Sequence, residues 1–177
     1  MRTMVAGTAT LLFIDIQPRL MRVIEDADPV IANARRLLDA AALFSVPALF
    51  TEQNAKALGP TVEDLNPVEG AVVHKLAFDA CRANGFMAML GEKPDVIVSG
   101  CEAHVCVLQT VLSLIDAGRR VFVVRDAIGS RRAESKETAI RRMEQHGAEI
   151  VTAEMVIFEW LGSAGHPRFR EASALIK

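Results

Sequence analysis

The sequence predicts a three-layer α/β fold, in which a mainly parallel sheet of about six strands has helices on both faces. Short apolar runs alternate with longer segments whose apolar residues have helical spacing. The first run, TLLFIDI at residues 10–16, is apolar on both faces of a strand, which is typical of parallel sheets. No internal repeat or change in composition interrupts the 177 residues. We therefore expect a single doubly wound, Rossmann-like domain over residues 1–177.

Six apolar runs have the length and composition of strands. They are residues 10–16, 46–51, 71–74, 95–98, 120–125 and 149–152. Asp15 lies near the end of the first run, Lys75 follows the third, and a turn at Ser99-Gly100 follows the fourth. Because parallel strands place their carboxyl ends at one edge of the sheet, we expect these positions to converge there.

Helices are predicted where apolar residues recur at every third or fourth position. These segments are residues 30–44, 82–90, 103–117, 133–146, 155–161 and 168–176. The segment 103–117 is apolar around most of its circumference, so we expect it in the core or in a subunit interface. Residues 53–70 are rich in Pro, Gly and Asn, and a connection of that length is commonly a lid or a binding loop. A further loop is predicted to begin at Asp126-Ala127.

Composition and charge exclude several classes of function. A net charge of −2, without a basic stripe, argues against nucleic-acid binding. The apolar runs are shorter than a bilayer span, and the N-terminal segment lacks the features of a signal peptide. The three cysteines are odd in number and have no zinc-binding spacing. We therefore expect a cytoplasmic protein that does not bind membranes.

Cys106 is the candidate nucleophile. It falls in the first turn of the predicted helix 103–117, where free N–H groups and the helix dipole favour a thiolate. Asp15 and Lys75 each lie at or just beyond a predicted strand end, so the carboxylate would take the thiol proton and the ammonium would stabilise the charges. Dinucleotide, P-loop and nucleophile-elbow motifs are absent, and we expect no cofactor.

Several motifs together resemble the isochorismatase-like, or cysteine hydrolase, superfamily. LLFIDIQ at 11–17 is similar to its first-strand aspartate motif, HKLAFDA at 74–80 to its lysine motif, and GCEAHVC at 100–106 to its nucleophile signature. Four longer stretches resemble the subgroup of isochorismatase domain-containing proteins: residues 51–65, 100–118, 126–131 and 166–177. The resemblance covers nearly the whole chain from Thr10 onward.

This resemblance implies a catalytic triad of Asp15, Lys75 and Cys106. It also implies a cis peptide bond between Cys101 and Glu102, and an oxyanion hole made by the backbone N–H groups of Glu102 and Cys106. Further side chains at strand ends are candidate substrate contacts. They are Phe13, Gln17, Gln53, Phe78 and Glu102.

The chain departs from the nicotinamidase members of this superfamily after the second strand. Those members carry an Asp-x-His cluster that binds a metal, whereas this chain has Glu52-Gln53-Asn54, so no metal site is predicted. Ala103 replaces a common threonine of the nucleophile signature, which suggests altered pocket polarity.

Because Cys106 is present, hydrolysis of a small amide or related C–N bond through a thioester is the preferred interpretation. Isochorismate-type hydrolysis of a vinyl ether, which does not need the cysteine, is one alternative. A non-catalytic binding or scaffold protein that retains the fold is another. The resemblance further implies a small-molecule substrate and a homo-oligomer, either a dimer or a larger assembly.

Overall fold

The protein forms one parallel six-stranded sheet over residues 3–177, the part of the chain that the structure, a computed structural model, describes. The strands are β1 (Ala9–Ile14), β2 (Ala48–Gln53), β3 (Val72–Lys75), β4 (Asp95–Cys101), β5 (Arg120–Gly129) and β6 (Glu149–Val151). Their order is β3-β2-β1-β4-β5-β6, and every neighbouring pair is parallel. The chain thus starts in the middle of the sheet and winds outward in both directions, which confirms the predicted fold class.

Helices cover both faces of this sheet. They are α1 (Pro18–Met21), α2 (Ala27–Phe44), α3 (Ala55–Leu58), α4 (Phe86–Leu90), α5 (Leu108–Asp116), α6 (Ala133–Gln145), α7 (Ala153–Leu161) and α8 (Phe169–Ala174). A π-helical segment, Ala103–Val107, leads directly into α5, and 3₁₀ turns cover Ala6–Thr8 and Ala80–Arg82. Within residues 3–177, no helix combines the length and apolar character needed to cross a membrane.

The core lies in two layers, one on each side of the sheet. Leu11 and Phe13 of β1 pack in the layer formed by α2 and α7. Leu12 and Ile14 point the other way, into the layer formed by α5 and α6. Because both faces are buried, the strand shows a continuous apolar run rather than alternation.

All six strands end at least one residue away from the predicted end, and two of these differences bear on the site. β5 continues to Gly129 instead of giving way to a loop at Asp126. Its pairing with β4 shifts register between Val98 and Gly100, and the ladder resumes at Gly100 and Ile128. The Ser99 hydroxyl donates to the Ala127 carbonyl across the irregular stretch at 2.7 Å, which keeps the strands together. Lys75 is the last residue of β3 and does not follow it.

Candidate active site

Asp15 and Lys75 form a buried ion pair at the carboxyl edge of the sheet. Asp15 lies directly after β1, and Lys75 ends β3. Lys75 Nζ lies 2.6 Å from Asp15 Oδ2, and both side chains are fully buried. Thr51, on the intervening β2, donates from its hydroxyl to Asp15 Oδ1 at 2.6 Å. Each carboxylate oxygen therefore has a donor, as a charge in a dry environment requires.

The Lys75 ammonium is held by three further acceptors. Its Nζ donates to Gln53 Oε1 at 2.8 Å, and lies 3.4 Å from the Ala77 carbonyl and 3.3 Å from that of Phe78. An ammonium has three protons, so these partners and Asp15 satisfy its capacity to donate. The segment after β3 therefore supplies two of the four acceptors that hold this positive charge.

Cys106 lies beside this ion pair, in the π-helical segment that follows β4. Burial raises the pKa of its thiol to about 12, and the Asp15 carboxylate acts in the same direction, while Lys75 opposes both. The thiol is therefore protonated at neutral pH. The prediction that the helix end favours a thiolate is wrong for the resting protein, because burial raises the pKa more than Lys75 lowers it.

The backbone of the segment from Cys101 to Val107 carries the two N–H groups of the predicted oxyanion hole, those of Glu102 and Cys106. The peptide bond between Cys101 and Glu102 is cis, as the resemblance implied. Among residues 3–177, the N–H of Glu102 has no hydrogen-bond acceptor. The Glu102 carbonyl accepts from the N–H groups of Val105 and Val107, at 3.0 and 3.2 Å, and the N–H of Cys106 is not among its donors. The bond from the Val107 N–H to the Glu102 carbonyl spans five residues, as in a π turn.

The backbone before Asp15 and the backbone before Cys106 approach each other because Gly100 has no side chain. Gly100 pairs with Ile14, the residue before Asp15, and has a φ of 141°. A Cβ at Gly100 would lie 2.1 Å from the Ile14 carbonyl oxygen. Asp15 itself has a φ of 52°, a left-handed conformation that aspartate tolerates better than most residues.

Sequence reasoning missed Thr51, which holds Asp15 from the neighbouring strand. Thr51 lies opposite Ile14 in the β1–β2 register, next to the position of Asp15. Its hydroxyl at the end of the apolar run 46–51 was the available signal. The partner became evident only when the register of the two strands was known.

Two predicted substrate contacts are buried structural residues. Phe13 stacks on Phe50 with ring centroids 4.7 Å apart, in the layer opposite to Cys106. Gln17 is also fully buried, and its amide bonds to the backbone of Gln53 and of Gly59. Phe13 is therefore a core residue with no surface free for a ligand. Gln17 connects two loops, and its amide has no group free for a ligand.

The other three candidates lie closer to the reacting groups. The Gln53 amide accepts from Lys75 and donates to the Leu76 carbonyl, so it positions the ammonium. Phe78 exposes its ring. Glu102 is half-buried, and its carboxylate accepts from Arg131 Nε at 2.6 Å. Phe78 and Glu102 therefore remain candidate substrate contacts.

The segment that replaces the metal-binding cluster forms a network within the protein. Glu52 Oε1 accepts from the backbone N–H and hydroxyl of Thr61, at 2.6 and 2.9 Å. The other oxygen of Glu52 lies 3.2 Å from His74 Nδ1. Among the described residues, no group of three or more His, Cys, Asp or Glu side chains is arranged to hold a metal ion.

The chain is similar to proteins of known families over most of its length. The isochorismatase domain matches residues 9–155, a range that includes Asp15, Lys75 and Cys106. Isochorismatase domain-containing protein 2 from Homo sapiens is 36% identical over 174 residues, which are 97% of this chain and 84% of that protein.

Solved structures show the same likeness. The MAR1 ribonuclease from Caenorhabditis elegans has a TM-score of 0.93 and 36% identity, over 98% of this chain and 92% of its own. The YcaC gene product from Escherichia coli, an octameric hydrolase of unknown specificity, has a TM-score of 0.88 and 27% identity, over 99% of this chain and 88% of its own. Sequence and fold agree, and the chain belongs to the isochorismatase-like hydrolase superfamily.

Proposed function

We propose that the protein is a cysteine hydrolase that cleaves a small amide or a related C–N bond through a thioester on Cys106, without a metal or cofactor. The observation that carries the proposal is the position of Cys106 beside the buried Asp15–Lys75 ion pair. A nucleophile, a base, a positive charge and two backbone N–H donors are the groups that acyl transfer needs.

The first half of the reaction forms the thioester. Cys106 Sγ attacks the substrate carbonyl carbon while Asp15 takes the thiol proton. A base is required at this step because a thiol with a pKa of about 12 is almost entirely protonated at pH 7. The N–H groups of Glu102 and Cys106 hold the oxyanion. The C–N bond then breaks, and Asp15 returns the proton to the leaving amine.

The second half releases the acid. Asp15 takes a proton from water, and the hydroxide oxygen attacks the thioester carbonyl. The C–S bond breaks, the carboxylic acid leaves, and the proton on Asp15 returns to Cys106. Lys75 stabilises the negative charge that passes between Asp15 and Cys106.

The proposal also includes the oligomeric state. We expect a homo-oligomer, in keeping with the octameric YcaC gene product. Exposed apolar side chains beside Lys75, those of Leu76 and Phe78, are consistent with a covered surface there. Sedimentation that shows only a monomer would contradict this expectation.

The proposal predicts an acyl group on Cys106 during turnover. Purified protein would be mixed with a panel of small primary amides, quenched in acid, and analysed by intact and peptide mass spectrometry. We expect an adduct of the acyl mass on Cys106 and no turnover in Cys106→Ala, because the attack has no other nucleophile. Cys81→Ala is the matched control and should behave like the wild type, since Cys81 lies outside the triad.

The same panel separates the other interpretations. Vinyl ether hydrolysis by Asp15 and Lys75 would survive in Cys106→Ala, which contradicts the thioester route. A binding or scaffold protein would turn over nothing. Because one relative is named a ribonuclease, RNA is included in the panel, although a net charge of −2 offers little attraction for phosphates. A substrate that is hydrolysed without any acyl-Cys106 would overturn the proposal.

A further inference from the structure

The segment that holds Lys75 is not fixed by its own side chains. The carbonyls of Ala77 and Phe78 lie within 3.4 Å of Lys75 Nζ. Yet Leu76 is 77% exposed and Phe78 is 52% exposed, so little apolar burial restrains them. Contacts with another element must therefore anchor this segment and, with it, two of the four acceptors of the ammonium.

Asp79, the next residue, is the first anchor. Its side chain is nearly buried, and Oδ1 accepts from the Cys81 N–H at 2.9 Å. Oδ2 accepts from the Ser113 hydroxyl at 2.8 Å. Arg82 lies 3.4 Å from Oδ2, but its side chain is largely exposed and contributes little. The buried partner of Asp79 on another element is therefore Ser113.

Thr110 is the second anchor. It is fully buried, and its hydroxyl accepts from the Ala80 N–H at 3.0 Å. Without that acceptor, a buried N–H group would be left unpaired. The segment from Ala77 to Ala80 is thus tied to α5 at two successive residues, through Ser113 and Thr110.

Both hydroxyls follow the nucleophile along its own helix. Thr110 comes four residues after Cys106, and Ser113 comes three residues later, which places the three side chains along one side of the helix. The continuous helix formed by the π-helical segment and α5 thus carries the thiol. It also binds the segment whose carbonyls accept from Lys75.

We infer that Asp79, Thr110 and Ser113 are positioning residues that hold the Lys75 ammonium against Cys106. The inference deepens the proposed function and rests on it, since it assigns a role to Lys75 beside the nucleophile. These residues act through Lys75 and do not touch the reacting atoms. They couple the position of the positive charge to the helix that carries the thiol.

The consequence is measurable without a substrate. Lys75 lowers the pKa of Cys106 against the effects of burial and Asp15. If the ammonium moves away from Cys106, it lowers the pKa of the thiol by less. The thiolate fraction at a given pH then falls. Iodoacetamide reacts with the thiolate, and the alkylation rate of Cys106 therefore reports the position of the charge.

The test compares matched variants of the full-length protein. Thr110→Val keeps the shape but removes the hydroxyl, Thr110→Ser keeps the hydroxyl, and Ser113→Ala removes the contact with Asp79. Thr10→Val is the control, because the Thr10 hydroxyl is equally buried but lies at the amino end of β1, bonded to the Leu90 carbonyl. Lys75→Met gives the alkylation rate of Cys106 in the absence of the ammonium. Alkylation of Cys106 by iodoacetamide is followed by peptide mass spectrometry from pH 7 to 9.5, alongside thermal unfolding.

Thr110→Val and Ser113→Ala are expected to slow alkylation about three- to tenfold, in the same direction as Lys75→Met, since tenfold corresponds to one pKa unit. Thr110→Ser should recover the wild-type rate, and Thr10→Val should keep it. Wild-type rates in Thr110→Val and Ser113→Ala, with a slow Lys75→Met, would overturn the positioning role and leave the proposed function intact. A slow rate in Thr10→Val as well would show that removal of a buried hydroxyl far from Lys75 has the same effect, and would also overturn it. If Lys75→Met reacts like the wild type, the role of Lys75 in the proposed function fails, and the positioning role fails with it.

Discussion

Cys106 lies beside two opposite charges that act on its thiol in opposite directions. Asp15 raises the pKa of the thiol and Lys75 lowers it, while burial has the largest effect and keeps the proton on sulfur. A protonated thiol is a weak nucleophile, and its activation must therefore be simultaneous with attack. Asp15 can serve as the base because each carboxylate oxygen retains a lone pair besides those used by Thr51 and Lys75.

Replacing Asp15 by Asn separates the two roles of this carboxylate. Loss of the negative charge should lower the pKa of Cys106, so alkylation by iodoacetamide at pH 8 becomes several-fold faster. Turnover of any amide substrate should fall by a factor of about 100 or more, because the general base is gone. Asn tolerates the left-handed backbone at this position, so the loop geometry is expected to persist.

The matched control is Asp26→Asn. Asp26 has a similar left-handed φ of 53°, but it lies on the surface before α2. Its replacement should change neither rate. Slower alkylation in Asp15→Asn than in the wild type would contradict the assignment of opposing charges.

Among the elements, β1 and β4 determine how closely the base and the nucleophile approach. They are neighbours at the centre of the sheet, and their carboxyl ends carry Asp15 and the turn to Cys106. Gly100 lets the two backbones come together where any side chain would collide with Ile14. The π-helical segment then directs Cys106 back toward Asp15.

Gly100→Ala should therefore damage the site and the fold together. The new Cβ meets backbone atoms, which do not yield as a flexible side chain would, and the φ of 141° is unfavourable for alanine. We expect the free energy of unfolding to fall by about 3 kcal/mol or more. Urea unfolding measures this loss. Gly7→Ala is the control, because a Cβ there meets nothing within 4 Å, and its stability should match the wild type. Equal midpoints for the two variants would show that the close approach at Gly100 is not required.

Sequence periodicity was sufficient for the type and order of the main elements, because both core layers bury regular apolar faces. It failed where tertiary contacts override the local pattern. Arg125 and Asp126 suggested the end of a strand, yet their charges are satisfied by Glu137 and by the Ala153 N–H, and β5 continues. The π-helical segment likewise has no local signal that distinguishes it from the first turn of a regular α-helix.

At the scale of the whole molecule, the parallel sheet explains why the candidate triad could be predicted. Asp15, Lys75 and the turn before Cys106 lie at or just after the carboxyl ends of strands that share one edge, so topology alone brings them near each other. Thr51, Thr110 and Ser113 could not be predicted in the same way. Their hydrogen bonds depend on the register between elements distant in sequence, and period 2 alternation also placed Phe13 on the face opposite to Cys106.

The buried thiols also determine how the stability of the whole molecule depends on pH. Burial raises the pKa of Cys81, Cys101 and Cys106 to about 12, whereas thiols in an unfolded chain ionise near pH 8.5. Between these values the unfolded chain releases protons that the native protein retains. The stabilisation is therefore complete below about pH 8.5 and is lost as the pH rises toward 12. The chain has no tyrosine, so no phenol titrates over the same range.

Cys101→Ala removes the contribution of one thiol to this pH dependence, and Cys101 is completely buried. The slope of the free energy of unfolding against pH between 9 and 11 should become shallower by about 1.4 kcal/mol per pH unit, because one proton fewer is released on unfolding. Urea unfolding at half-unit steps of pH measures both slopes. Val98→Ala, at an equally buried position of β4, should lower stability at every pH and leave the slope unchanged. Parallel slopes for the wild type and Cys101→Ala would mean that this thiol ionises as readily in the native core as in water, and the protonated resting state inferred for Cys106 would then lose its physical basis.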